Sequence, residues 1–116
     1  MSKVFSVCNA HRVAGEREIF IDLEPDLRIR FMRSEAPPPV SYAITLELLE
    51  GEDWTTVRLW DNADDVAEHH EHGYTREDGK HAPTILEFES GNDAMAAAIR
   101  KAKDEAEAIV REWRAS

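Results

Sequence analysis

The sequence predicts a single α+β domain, in which five or six antiparallel strands in meander order pack against one long C-terminal helix. Three observations predict this fold class. Apolar and polar residues alternate over most of residues 18–61, as they do in half-buried strands. Short groups of turn residues interrupt this alternation. From residue 92 onward, the apolar residues instead recur every three or four positions, which is typical of one face of a helix.

The first part of the chain predicts a hairpin. Glu18 to Leu23 and Leu27 to Met32 alternate, and the turn at residues 24–26 joins them through a proline and an aspartate. Residues 1–16 have no clear period, so we expect a loosely ordered arm or a first edge strand. Three consecutive prolines, Pro37 to Pro39, then predict a stiff, extended connector.

Two longer stretches predict the centre of the sheet. Val40 to Glu50 is the longest strand candidate, and Trp54 to Asp61 returns antiparallel after the turn at Gly51. The first strand is predicted to place on one face Tyr42, Ile44, Leu46 and Leu48. The second is predicted to place on one face Trp54, Thr56, Arg58 and Trp60.

The last elements are a strand pair and the helix. Gly73 to Lys80 predicts a strand end and a hairpin turn, and Thr84 to Glu89 predicts a final strand. Ser90 is a good N-cap for a helix from Asn92 to Arg114. This helix is expected to lie across the sheet, with Trp113 closing one end of the core.

The formal net charge of −10 is unevenly placed along the chain. Residues 47–71 contain nine acidic residues and one basic residue, Arg58. Such a region repels the nucleic-acid backbone, so it argues against nucleic-acid binding there and favours a cation or a basic protein partner. An acidic face that serves only solubility is the alternative interpretation.

Further expectations concern location and assembly. Cys8 is the only cysteine and cannot form an internal disulfide. No apolar run has the length of a membrane helix, and the N-terminus does not resemble a signal peptide, so we expect no membrane contact and a cytoplasmic protein. The sheet edges and the face not covered by the helix predict a homodimer, because an uncovered sheet face of this apolarity usually binds a partner.

Candidate chemistry is concentrated between Asp61 and His72, where five carboxylates and three histidines fall within twelve residues that contain no Lys or Arg. If the end of this cluster is a strand, His70 and His72 share one face. Asp61 or His81 is then a further metal ligand from a neighbouring strand. If Asn62 caps a short helix instead, a different set is aligned: Asp65, Glu68, His69 and His72. The hairpin pattern after Gly73 favours the strand.

The cluster admits several functions. Mixed imidazole and carboxylate ligands suit zinc, manganese or nickel. A metal-free acid–base site on His70 or His72 and a solvated loop are the alternatives. Arg28 and Arg30 share one face of a predicted strand and are candidates to bind a phosphate, or else to pair with some of the surplus carboxylates.

A short resemblance covers part of the same region. Residues 57–62, followed by residues 69–74, resemble a pattern in small uncharacterised bacterial proteins, where a strand ending in Asp-Asn leads into a His-x-His segment and a C-terminal helix. The segment is also similar to the TumE-type toxins of bacterial toxin–antitoxin pairs. That resemblance implies action on RNA or nucleotides, with Asp61, His70 and His72 at the matching positions. The acid-rich residues 64–68 and the overall acidic charge depart from the pattern.

Two function classes follow from the sequence. The first is a small acidic bacterial binding or regulatory protein, of which a toxin–antitoxin component is one kind. The second is a metal-dependent hydrolase, phosphodiesterase- or ribonuclease-like, with His70, His72 and Asp61 as catalytic and metal-binding residues. The enzyme requires these three side chains to converge, whereas the binding protein leaves them apart in solvent. The lack of an established catalytic motif favours the first class.

Overall fold

The computed structural model describes residues 11–13, 16–34, 41–62 and 68–116. In these ranges, eight strands form one open antiparallel sheet and one helix covers part of it, which confirms the predicted α+β class. The strands are β1 (His11–Val13), β2 (Glu16–Glu24), β3 (Leu27–Ser34), β4 (Ser41–Glu50), β5 (Asp53–Asp61), β6 (His69–Thr75), β7 (Gly79–Lys80) and β8 (Thr84–Leu86). The helix is α1 (Gly91–Ala115).

The sheet follows chain order from β1 to β7, and each strand is antiparallel to the next. β8 lies off this path and pairs with β6. The meander is thus as predicted. β1 lies in the segment where a first edge strand was one expectation, and β7 is an additional short strand. The last strand ends at Leu86, earlier than predicted. Residues 1–10 of the predicted arm and the proline connector lie outside the described residues.

The core lies between α1 and the central strands, because α1 contacts β4, β5 and β6. Each large apolar side chain buried in this way contributes about 1.5–3 kcal/mol. The sheet supplies Ile29, Tyr42, Ile44, Leu46, Leu48, Val57 and Trp60. The helix supplies Ala94, Met95, Ala98, Ala102, Ala106, Ile109, Val110 and Trp113.

Ser90 forms the predicted N-cap of α1. The Ser90 hydroxyl accepts a hydrogen bond from the Asp93 backbone N–H at 3.1 Å, which satisfies one of the free donors of the first turn. Alanines at four-residue spacing, from Ala94 to Ala106, then form the buried face of the first turns. Larger apolar side chains replace them toward the C-terminus. Within the described ranges, no helix is long and apolar enough to cross a membrane.

A β-bulge between β4 and β5 corrects one prediction. Leu46 lies opposite Arg58 whereas Glu47 lies opposite Thr56, so Val57 is an additional residue on β5. The bulge reverses the alternation of the strand. Trp54 therefore faces away from α1, whereas Trp60 is buried in the core beneath it. The prediction that these two tryptophans share a face is wrong, because alternation was assumed to continue unbroken.

The face of the sheet away from α1 carries charged as well as apolar side chains. It carries the ion pair of Arg28 with Glu47 and that of Arg30 with Glu18. The predicted homodimer was based on an apolar uncovered face, and it stays a prediction.

Candidate metal centre

The ends of β5 and β6 bring three predicted site residues together. Asp61 lies directly opposite His70 in the antiparallel pair, so both side chains lie on the same face. His72 is two residues further along β6 and shares that face. One ligand atom from each of the three residues lies within 4.8 Å of the others. We call Asp61, His70 and His72 the triad.

The strand interpretation of the cluster is confirmed by β6. In the helical alternative, His69 and His72 would share a face, but on a strand they point to opposite faces. His69 lies on the α1 side, where its Nδ1 is 2.9 Å from the hydroxyl of Tyr42 and its ring packs against Phe88. Burial, followed by the charge of His70, lowers the pKa of His69.

The triad is compact and buried. Asp61, His70 and His72 are 8%, 5% and 8% exposed. The Oδ1 atom of Asp61 lies 3.7 Å from His70 Nδ1 and 3.9 Å from His72 Nε2. At metal–ligand distances of about 2.0–2.1 Å, tetrahedral neighbours are about 3.4 Å apart. The two distances from Asp61 are close to this spacing, whereas the full set of three ligand atoms extends over as much as 4.8 Å, so the side chains must move closer together to hold an ion.

In each imidazole, the ring nitrogen that points away from Asp61 forms a hydrogen bond. His72 Nδ1 donates to the backbone carbonyl of His81 at 2.9 Å, and this nitrogen carries the proton because a carbonyl only accepts. His70 Nε2 lies 2.8 Å from a carboxylate oxygen of Glu68, which accepts from it in the same way. In the neutral imidazoles, the lone pairs of His70 Nδ1 and His72 Nε2 therefore face Asp61. Metal-binding histidines are held by the same kind of outer hydrogen bond.

Three carboxylates among the described residues are buried, and only two have a basic partner. Glu47 pairs with Arg28 at 2.8 Å. Glu71 pairs with Arg58 at 2.6 Å and Lys101 at 2.7 Å. Asp61 instead meets only imidazoles, with no Lys or Arg of the described residues at ion-pair distance. A buried carboxylate without a basic partner is costly, and a bound cation would offset that cost.

The charge of Asp61 affects two tyrosines. Burial, followed by this charge, raises the pKa of Tyr42 to about 12. The same two causes raise the pKa of Tyr74. Glu71 behaves differently. Burial raises its pKa, but hydrogen bonds from Lys101 and Arg58, together with their charges, lower it by more.

The structure places His81 differently from the sequence-based expectation. Its side chain is exposed, and its Nε2 lies 3.0 Å from the Thr75 hydroxyl rather than beside the triad. His81 contributes only its backbone carbonyl, through His72. The sequence analysis did not predict the contact of Glu68 with His70. The spacing of the two residues could have indicated it, because side chains two positions apart in an extended segment lie on the same face.

The two arginines proposed for phosphate binding lie apart from the triad. Arg28 binds Glu47, and its guanidinium lies 4.4 Å from the ring centre of Phe20 and 4.0 Å from that of Trp54. Arg30 binds Glu18. By strand register, Arg30 is three strand spacings from His72, about 14 Å. Phosphate binding by either arginine stays a prediction, but neither guanidinium completes the triad.

The acidic residues of the 47–71 region do not share one surface. Glu47 and Asp61 face away from α1, Glu71 faces toward it, and Glu52 lies in the turn after β4. Residues 63–67 lie outside the described residues. A basic partner for this region therefore stays a prediction.

No family model, no curated protein and no solved structure matches this chain. The resemblance to TumE-type toxins accordingly stays a prediction, and the geometry of the triad is the basis for a functional proposal.

Proposed function

We propose that this chain is a small metal-binding protein that holds a divalent transition-metal ion at Asp61, His70 and His72. The observation that carries the proposal is the convergence of three buried electron-pair donors. No Lys or Arg of the described residues lies at ion-pair distance from Asp61. The outer hydrogen bonds of both imidazoles add to it, because they direct lone pairs rather than protons toward Asp61.

The ligand set favours borderline metals. Two neutral imidazoles and one carboxylate suit zinc, manganese or nickel, whereas calcium and magnesium prefer all-oxygen sites. A divalent ion leaves the triad with a net charge of about +1, since only Asp61 contributes a negative charge. The ion would therefore compensate a buried carboxylate that has no Lys or Arg of the described residues at ion-pair distance.

Binding or regulation is the function class that these contacts support best. An ion that binds the folded state but not the unfolded state stabilises the fold by mass action, by about 2.7 kcal/mol at a free concentration one hundred times the Kd. In this proposal, the metal supply sets how much of the protein is folded and able to meet a partner. A toxin–antitoxin role is one setting for such a protein.

A metal-dependent hydrolase is the second candidate, and one observation favours it. The triad supplies three protein ligands from the described residues, as catalytic zinc sites do, and the remaining position in such sites binds water or substrate. A bound ion would then supply an activated water for phosphodiester hydrolysis. Arg28 and Arg30 give this candidate no support, since both are engaged elsewhere.

The test is thermal unfolding of chelator-stripped protein titrated with zinc, manganese and nickel. We expect a saturable rise in Tm that is lost in the double variant His70→Ala/His72→Ala. His81→Ala is the matched control, because it removes an imidazole but keeps the backbone carbonyl that orients His72. This control should retain the full rise in Tm.

No saturable rise with any of the ions, or an equal rise in the double variant, rejects the metal proposal. A basic protein partner would then be sought with the purified protein. If the rise is present, hydrolysis of RNA and nucleotides separates the two candidates. Activity that requires the ion and disappears in Asp61→Asn supports the hydrolase, whereas metal binding without turnover supports the binding protein.

A further inference from the structure

Two of the three ligands of the triad lie where paired strands end. Asp61 and His70 form the last pair of the β5–β6 ladder, and Asp61 is also in the last pair between β5 and β4, opposite Ala43. The other side of β6 pairs with β8, a strand of three residues. The ends of such elements open at little free-energy cost unless further contacts hold them. A metal centre at this position therefore depends on contacts just beyond the last pair.

Tyr42 of β4 contacts the chain neighbour of each of these two ligands. Its backbone N–H donates to Asn62 Oδ1 at 2.9 Å, and the Asn62 backbone N–H donates to the Tyr42 carbonyl at 3.4 Å. The Tyr42 hydroxyl lies 2.9 Å from His69 Nδ1. Asn62 directly follows Asp61, and His69 directly precedes His70. One residue of a central strand therefore holds both strand ends.

These contacts are shielded from water. Tyr42, Asn62 and His69 are 5%, 0% and 4% exposed. The His69 ring is stacked on the Tyr42 ring, with 5.8 Å between ring centres, and meets the Phe88 ring edge-on at 5.7 Å. Removing one partner of a buried hydrogen bond is costly, because the group left behind has lost both its partner and water. The Tyr42 hydroxyl is therefore well placed to fix His69.

Tyr42 acts on the triad without contacting it. The side chains of Tyr42 and His69 lie on the α1 side of the sheet, whereas His70 points to the opposite face. Any effect of the Tyr42 hydroxyl on a bound ion must therefore pass through the backbone at the start of β6. Tyr42 complements the carbonyl of His81, which orients the third ligand.

We infer that Tyr42 is a positioning residue of the metal centre, which holds Asp61 through Asn62 and His70 through His69. The inference rests on the proposed metal binding. The measured affinity for an ion decreases in proportion to the fraction of molecules whose ligands are in place. A residue that keeps both strand ends paired in the metal-free protein therefore raises the affinity without touching the ion.

The experiment compares the zinc affinity of the full chain with that of Tyr42→Phe, by competition with a chelator of known affinity. The substitution removes one oxygen, keeps the aromatic ring and leaves His69 Nδ1 without this partner. We expect zinc binding to weaken about threefold to tenfold.

Trp113→Phe is the matched control. It also removes one hydrogen-bonding group from a buried aromatic side chain, but near the C-terminus of α1, where the indole N–H donates to Glu50 at 3.3 Å. This control should bind zinc as tightly as the unaltered protein. Urea unfolding of both variants in a chelator measures their loss of stability, so that a general loss of stability can be distinguished from a loss of positioning.

A double-mutant cycle shows whether the effect passes through His69. In His69→Leu the imidazole is absent, so adding Tyr42→Phe should weaken zinc binding no further. Amide hydrogen exchange of the metal-free protein is a second measurement. Tyr42→Phe should accelerate exchange in residues 60–62 and 69–71, at the held strand ends, more than in residues 53–57 at the other end of β5.

The outcomes separate the inference from the proposed function. If zinc raises the Tm and the histidine double variant abolishes the rise, but Tyr42→Phe binds zinc as tightly as Trp113→Phe, metal binding stands and the positioning role is rejected. An equal weakening by Tyr42→Phe with and without His69 also rejects it. If zinc has no effect that depends on His70 and His72, the proposed function fails and the inference fails with it.

Discussion

The two faces of β6 bury ionisable side chains in different ways. Toward α1, the carboxylate of Glu71 meets two cations at hydrogen-bond distance. On the opposite face, Asp61 meets His70 and His72, whose outer protons are directed elsewhere. The described residues therefore supply basic partners for the buried carboxylate of Glu71 but not for that of Asp61.

The largest expected effect on the free energy of unfolding comes from Glu71, on the face of β6 toward α1. Glu71→Gln keeps the shape of the side chain but leaves Arg58 and Lys101 without their anion. We expect the free energy of unfolding to fall by about 3 kcal/mol, at the low end of the range for a broken buried ion pair because Lys101 is partly exposed. Urea unfolding in a chelator measures it. A loss of unfolding free energy smaller than the contribution of an exposed ion pair would contradict the conclusion that Arg58 and Lys101 compensate Glu71.

Asp61→Asn is the matched change on the face away from α1. Without metal it removes a buried charge that has no Lys or Arg of the described residues at ion-pair distance, so we expect the free energy of unfolding to change by less than about 1 kcal/mol. With zinc at one hundred times the Kd of the unaltered protein, the variant should lack about 2.7 kcal/mol of stabilisation. Urea unfolding in both conditions checks this. A large loss without metal would mean that Asp61 is already compensated.

Glu68→Ala tests the outer hydrogen bond of His70. The carboxylate orients the ring and keeps the proton on Nε2, so its removal should weaken zinc binding about 10- to 100-fold. Competition with a chelator of known affinity measures the change. Asp78→Ala, an acid removed from an exposed turn, should bind zinc as tightly as the unaltered protein.

The smallest expected effect is the pH dependence due to Glu71. Its folded-state pKa lies below the reference value of 4.5, because its bonds to Lys101 and Arg58 outweigh the effect of burial. The resulting stabilisation is complete above that value and is lost as the pH falls through the folded-state pKa. We expect stability in a chelator to decrease below about pH 4.5, and less steeply in Glu71→Gln. If stability decreased equally steeply with falling pH in the unaltered protein and in Glu71→Gln, the pH dependence could not be assigned to Glu71.

Much of the fold was predictable because it depends on local periodicity. The alternation from Glu18 to Glu50 predicted three strands, and the spacing after Ser90 predicted the helix and its cap. The faces of Trp54 and Trp60 were not predictable in this way. A bulge of one residue at Val57 separates them, and no turn residue marks it in the sequence.

The candidate site was predictable only in part. The strand interpretation brought Asp61, His70 and His72 together, because residues opposite one another on paired strands share a face. It also suggested His81, whose ring lies against Thr75. The side-chain direction of a residue after a short hairpin depends on register, which the sequence did not specify.

Residue type and spacing are local properties, so the amino-acid sequence was enough to predict most of the elements and the donor groups at the end of β5 and the start of β6. The partners of each buried charge depend instead on how distant parts of the chain pack together. Arg58 and Lys101 lie 13 and 30 residues from Glu71, and the carbonyl that orients His72 lies nine residues away. Hydrogen bonds between residues so far apart depend on how the strands and the helix pack. They distinguish the ion pairs of Glu71 from the surroundings of Asp61, where no Lys or Arg of the described residues lies at ion-pair distance.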